Sequence, residues 1–193
     1  MQTLVQKPAP EFKVEALVGE AFKPVSLSDY RGKWVCLFFY PLDFTFVCPT
    51  EITAFDTAYA TFKEANCELL GCSVDSKFSH LAWAKTSRRE GGIGKLQFPL
   101  LADIDKKVGA SYGVLLESGI TLRGLFLINP EGKVQYQLVH DLGIGRNVDE
   151  VLRVLKALQE VARSGEVCPA NWQPGKKTIK PDPVKSKDYF QSV

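Results

Sequence analysis

Seven consecutive apolar residues, WVCLFFY at positions 34–40, stand between Gly32 and Pro41. A run without polar alternation, closed at both ends by chain breakers, is the pattern of a strand buried on both faces. A strand of that kind needs cover above and below, so the surrounding sequence has to supply packing layers for a central sheet.

The layers follow in alternation. From Pro49 to Ala65, Ile52, Phe55, Tyr59 and Phe62 fall three and four apart, one stripe of a helix. CELLGCSVD (67–75) reads as a second strand and FSHLAWAKTSRR (78–89) as a second helix, which EGGIG (90–94) ends. After FPLLAD, Lys106–Tyr112 forms a short helix and RGLFLINP (123–130) a strand. The turn signal Asn129-Pro130-Glu131-Gly132 folds KVQYQLV (133–139) back as a hairpin. Val148, Val151, Leu152, Leu155, Leu158 and Val161 make a long amphipathic helix. The opening to about Gly32, with Pro8, Pro10 and Pro24, reads as loops and short edge strands. This order predicts an α/β chain of the thioredoxin-like fold, a mixed central sheet flanked by helices. Residues 1–164 form the domain, and 165–193, polar and proline-rich, form a C-terminal arm.

Charge excludes some partners. With 24 basic and 22 acidic side chains the net charge is +2, which gives no reason to expect a nucleic-acid groove or an anionic membrane surface. The 34–40 run is too short to span a bilayer, and MQTLVQKPAPEF lacks the segments of a signal peptide. The expected address is cytoplasmic, or an organelle such as a plastid or mitochondrion if a targeting segment has been removed. The five cysteines, Cys36, Cys48, Cys67, Cys72 and Cys168, are odd in number and include no Cys-x-x-Cys pair, and only His80 and His140 accompany them. That argues for reduced thiols and against a paired-ligand zinc site.

Cys48 sits in FFYPLDFTFVCPTEI, directly before Pro49. Proline is favoured in the first turn of a helix, so the thiol is placed at a helix N-terminus, where free N–H groups and the helix dipole favour an anion. By position alone Cys48 is either a buried small residue or a nucleophile. Ionisation is a limited lever: an ordinary cysteine is already roughly 3% thiolate at pH 7, so complete ionisation gains only about 30-fold. A fast thiol enzyme also needs donors that stabilise charge developing on the leaving group. Thr45, one turn upstream, offers a hydroxyl, and a distant arginine could offer a cationic fork.

Pro41-x-x-x-Thr45-x-x-Cys48 resembles the active-site signature of the peroxiredoxins. EVCPANW around Cys168, GGIG at 91–94 and the YF at 189–190 resemble the marks of their typical two-cysteine class. The resemblance runs from about Ala9 to Phe190. It implies a thiol-dependent peroxidase, without metal or organic cofactor, acting on hydrogen peroxide and small organic hydroperoxides. Cys48 would become a sulfenic acid, and Cys168 of a second subunit would resolve it as an intersubunit disulfide that a thioredoxin-like protein reduces. Thr45 and Arg123 would hold the peroxide oxygens, Pro41 would shield the pocket, and Glu51 and Arg146 would aim Arg123. Gly91, Gly92, Ile93 and Gly94, with Tyr189 and Phe190, would slow local unwinding and make the enzyme sensitive to overoxidation. The implied assembly is a homodimer, with five dimers in a ring. A redox-switched chaperone or peroxide sensor on the same scaffold is the rival reading.

The other residues have plainer expectations. Cys36 reads as a core thiol, and Cys67 and Cys72, five apart on a strand, point to opposite faces and are poorly placed to bridge one another. His80 and Trp83 read as packing or surface residues, and His140 as solvated. GGIG and GIG lack dinucleotide-binding spacing and are explained by helix termination and tight turns.

Overall fold

The computed structural model describes residues 3–192. The chain divides into two compact units, Met1–Arg146 and Asn147–Val193. The first contains a seven-stranded mixed sheet built from β1 (Lys13–Val18), β2 (Ala21–Ser26), β3 (Trp34–Phe39), β4 (Cys67–Ser73), β5 (Leu100–Ala102), β6 (Arg123–Ile128) and β7 (Val134–His140), in the spatial order β2-β1-β5-β4-β3-β6-β7. The pairs β3/β4 and β4/β5 are parallel and the others antiparallel.

The 34–40 run explains the layering. Every residue of β3 is buried, and its side chains alternate between the faces. Val35, Leu37 and Phe39 join a cluster with Leu70, Phe126, Val108 and Tyr112, so this face is covered by the short helix α4 (Lys107–Ser111). Phe38 faces the other way and stacks on Phe55 at 4.4 Å between ring centroids, which seats α1 (Cys48–Thr57) on that face. Gly71 on β4 makes the stacking feasible, because a Cβ there would lie 3.0 Å from the Phe38 ring and 2.8 Å from Leu100.

Several elements differ from expectation. The helix expected over 49–65 is two, α1 and α2 (Tyr59–Glu64), with a break at Ala58. Gln97 Nε2 donates to the Asp56 carbonyl at 3.1 Å, and a side chain inserted into the backbone ladder interrupts a helix. The apolar stripe survives the break, with Ile52, Phe55 and Phe62 fully buried. The opening segment forms a hairpin of two six-residue strands; β2 is an edge strand, as expected of this segment, whereas β1 is an interior strand between β2 and β5. Pro24 is tolerated because β2 is the edge. Helix α3 (Lys77–Lys85), capped by Ser76, ends earlier than expected and is followed by a 3-10 turn at Arg88–Glu90.

The second unit holds α5 (Val148–Ser164), which Asn147 caps by accepting from the Glu150 N–H and Gly165 ends in the left-handed conformation, and α6 (Lys187–Phe190). It begins before the long helix, so the arm expected from 165 is the C-terminal part of this unit. Among the described residues no helix is long and apolar enough to cross a membrane.

Candidate active site

Cys48 is the first residue of α1 and is fully buried. Three charged side chains from distant parts of the first unit converge around it. Arg123, at the start of β6, donates from Nη1 to the Cys48 sulfur at 3.3 Å and to Glu51 Oε2 at 2.6 Å, while its Nε donates to the Leu142 carbonyl at 2.8 Å. Glu51, one turn into α1, also receives Arg146: the backbone N–H and Nε reach Oε1 at 2.8 and 2.7 Å, and Nη2 reaches Oε2 at 3.0 Å. Arg146 Nη1 donates to the carbonyls of Phe39 and Gly124, at 2.9 and 2.7 Å. The guanidinium carbon lies 5.4 Å from the centre of the Phe38 ring.

Glu51, Arg123 and Arg146 are 3%, 3% and 6% exposed. Two guanidinium groups and one carboxylate leave one positive charge to be balanced in a site where isolated charge is costly. An anion beside Arg123 balances it. The arrangement therefore supplies a buried nucleophile with an oriented cationic donor against it, and that donor can also serve an oxygen bound beside the sulfur.

The other expected site residues are placed as follows. Thr45 is half-buried, and its hydroxyl donates to the Leu42 carbonyl at 3.0 Å, which leaves its oxygen lone pairs as acceptors. Pro41 is buried just beyond β3. Gly91 to Gly94 follow the 3-10 turn, and Tyr189 and Phe190 lie in α6, with Phe190 62% exposed. Cys168, in the second unit, is partly exposed; its thiol contacts the Ala157 carbonyl at 3.7 Å, beside a groove of 400 Å³ lined by Arg153, Ala157, Val161 and Pro169. Burial, then the Glu160 charge, push its pKa up. Burial also pushes Cys36 up to about 12 and raises Cys67 and Cys72 well above the ordinary thiol value.

Sequence reasoning missed the support of the 41–47 loop. His80 is fully buried, with Nδ1 at 2.8 Å from Asp43 Oδ2 and Nε2 at 3.2 Å from the Leu101 carbonyl. Tyr40 donates to Asp43 Oδ1 at 2.9 Å, and the Asp43 N–H donates to Asp75 at 2.9 Å. Burial, then the Asp43 charge, raise the pKa of Asp75. Phe44 adopts a left-handed φ of 54°, and its ring packs 5.8 Å from that of Trp83. The available signal was a lone aspartate inside an aromatic run. Among the described residues no group of three or more His, Cys, Asp or Glu is placed to hold a metal ion.

Residues 5–137 match the AhpC/TSA family and residues 157–192 the C-terminal domain of 1-Cys peroxiredoxin. Peroxiredoxin-2 of Bos taurus is 58% identical over 187 residues, spanning 96% of this chain and 94% of its own. The chloroplastic 2-Cys peroxiredoxin BAS1 of Hordeum vulgare is 56% identical over 192 residues, spanning 98% and 91%. The reduced 2-Cys peroxiredoxin of Plasmodium vivax superposes with a TM-score of 0.96 at 50% identity, covering 98% of this chain and all of that one. By sequence and by fold the chain belongs to the AhpC/TSA family and, within it, to the 2-Cys peroxiredoxins, which are thiol-dependent peroxidases.

Proposed function

We propose that the chain reduces hydrogen peroxide and small organic hydroperoxides at Cys48, and that Cys168 of a second copy resolves the oxidised sulfur as an intersubunit disulfide. The observation that carries this reading is the Arg123 guanidinium held 3.3 Å from the Cys48 sulfur inside a buried set of charges. The thiolate attacks one peroxide oxygen, the O–O bond breaks, and the leaving alkoxide or hydroxide takes up a proton. Arg123 stabilises the charge on that oxygen, Thr45 accepts a hydrogen bond from the bound peroxide, and Pro41 keeps water from the pocket. Glu51 and Arg146 hold Arg123 in place. Cys168 then displaces water from the sulfenic acid. A thioredoxin-like dithiol protein reduces the disulfide, and the working unit is a homodimer that assembles further into a decamer. A second role, as a redox-switched chaperone, is favoured by the exposure of Phe44, Phe46, Phe78 and Ile104, four large apolar side chains on the first unit.

One equivalent of hydrogen peroxide per reduced subunit tests the reading when the linked cysteines are mapped by mass. A rapid bond between Cys48 and Cys168 of two chains is the expected product. Slow oxidation spread over all five thiols would refute it.

A further inference from the structure

His80 is fully buried and bonded through both ring nitrogens, and it has no part in the steps at Cys48 described above. Nε2 lies 3.2 Å from the Leu101 carbonyl on β5, and a carbonyl only accepts, so Nε2 carries a hydrogen. In a neutral ring Nδ1 would then be a bare lone pair. It faces Asp43 Oδ2 at 2.8 Å, with both side chains shut away from water. A carboxylate oxygen and a lone pair repel at that distance, so a proton lies between them. Tyr40 does not supply it: its hydroxyl donates to the other oxygen, Oδ1, at 2.9 Å and stands 3.5 Å from Nδ1. Burial, then the Asp43 charge, raise the Tyr40 pKa well above the ordinary phenol value, which keeps that hydrogen in place. A carboxylate that already accepts from Tyr40 is favoured in its charged form, so the shared proton belongs to the ring.

The pair stands at the corner of the chain that carries Thr45. The Asp43 N–H donates to Asp75 Oδ2 at 2.9 Å, and the Ser73 hydroxyl donates to the same oxygen at 2.9 Å. The backbone at Asp43 is thereby tied to the end of β4, while its side chain is tied to α3. Phe44 comes next at a left-handed φ of 54°, which a bulky residue keeps only where its surroundings hold it. Its ring rests on Trp83, one turn beyond His80 on α3. Thr45 follows and donates to the Leu42 carbonyl at 3.0 Å, across that corner. The direction of the Thr45 hydroxyl is therefore set by residues 42–44, and their course by the hold on Asp43.

We propose that the Asp43–His80 pair positions Thr45 for the peroxide step, with His80 held as an imidazolium that locks the corner at 42–45. This rests on the peroxidase reading and adds to it two positioning residues that touch no reacting atom. A buried ion pair adds little net stability over apolar side chains of the same size, but it dictates one geometry. A hydroxyl acting beside a buried sulfur needs that geometry, since a misplacement of about 1 Å at a reacting centre can cost about 100-fold. The titratable groups facing His80 are Tyr40, Asp43 and Asp75, and β5 presents the Leu101 carbonyl. The imidazolium is thus the positive partner of two carboxylates, and its charge opposes the rise that burial, then Asp43, give the Asp75 pKa.

Two measurements test this. In the native protein at pH 7, nitrogen NMR of ring-labelled histidine should show hydrogen on both nitrogens of His80. Asp43→Asn should turn Nδ1 into a bare acceptor, because the amide can donate to it while the amide oxygen still accepts from Tyr40. Oxidation of Cys48 by hydrogen peroxide and its alkylation by iodoacetamide are then compared in the parent, Asp43→Asn, Asp43→Ala and His80→Gln. Asp43→Ala and His80→Gln should slow the peroxide reaction about tenfold with alkylation within about twofold, while Asp43→Asn keeps the peroxide rate within about threefold of the parent. A bare ring nitrogen in the parent would overturn the proposal, and that measurement needs no substitution, so it decides even where Asp43→Ala fails to fold. Peroxide rates that stay at the parent value in Asp43→Ala and His80→Gln, or that fall only in step with alkylation, would overturn it as well. A parent whose Cys48 does not react with peroxide would refute the peroxidase reading, and the role of Thr45 with it.

Discussion

One nitrogen of Arg123 serves both Cys48 and Glu51: Nη1 lies 3.3 Å from the sulfur and 2.6 Å from the carboxylate. Glu51 is thereby the point from which the guanidinium is aimed, and the Leu142 carbonyl on Nε fixes its plane. A lysine in that place would keep the charge and lose the fork.

Arg123→Lys should therefore slow the reaction of Cys48 with peroxide by about 100-fold, the cost of removing one oriented donor from a transition state. Stopped-flow consumption of peroxide by reduced protein measures it. A rate within twofold of the parent would show that positive charge alone suffices.

Glu51→Gln separates aim from charge. The amide can still accept from one arginine, but two buried guanidinium groups lose their counter-ion. Unfolding free energy in urea should fall by about 3–5 kcal/mol, the cost of breaking a buried pair on one side. Peroxide reactivity should fall with it. Full stability in this variant would mean that the fold does not depend on Glu51 as counter-ion to the two arginines.

How much of this was legible beforehand depends on the range of the forces involved. Cys48 at a helix start followed from Pro49, because proline constrains its own neighbours, and β3 followed from seven apolar residues in a row. The break at Ala58 was not legible, since it comes from Gln97, 41 positions from the Asp56 whose carbonyl it takes. The partners of His80 were equally hidden: Asp43 and Leu101 are 37 and 21 positions away. Arg123, Glu51 and Arg146 were named from family resemblance, and nothing in local spacing would have joined them. β1 appeared to be an edge because its second neighbour, β5, is a three-residue strand inside FPLLAD with no periodicity to show it.

The thiols should separate cleanly in native labelling. Burial raises the pKa of Cys36 to about 12 against a small opposing effect of Arg146, and it raises Cys67 and Cys72 as well, with the Cys36 and Asp103 charges adding to the respective shifts. Only the thiolate is alkylated, and these three are also shielded by the sheet. With the native protein at pH 8, iodoacetamide should modify Cys168 well before Cys36, Cys67 or Cys72, which should react only as the protein unfolds. Peptide mass mapping over time reads the order, and reaction of any of the three at the Cys168 rate would show that β3 and β4 open in the native state.

The resolving step should depend steeply on pH. Burial first, then the Glu160 charge, lift the Cys168 pKa above the ordinary value, with Arg153 opposing them. Below that pKa the reactive thiolate fraction grows about tenfold per pH unit. If the attack of Cys168 on the sulfenic acid limits disulfide formation, its rate should climb by about that factor for each unit between pH 6 and 8. Glu160→Gln, which removes the second cause of the shift, should move the profile to lower pH without altering the first oxidation of Cys48. Rapid-quench mass analysis of the disulfide separates the two steps. A profile flat across this range would instead place the limit in the opening of α1, a step with no thiol proton to lose, and the Glu160 variant would then be indistinguishable from the parent.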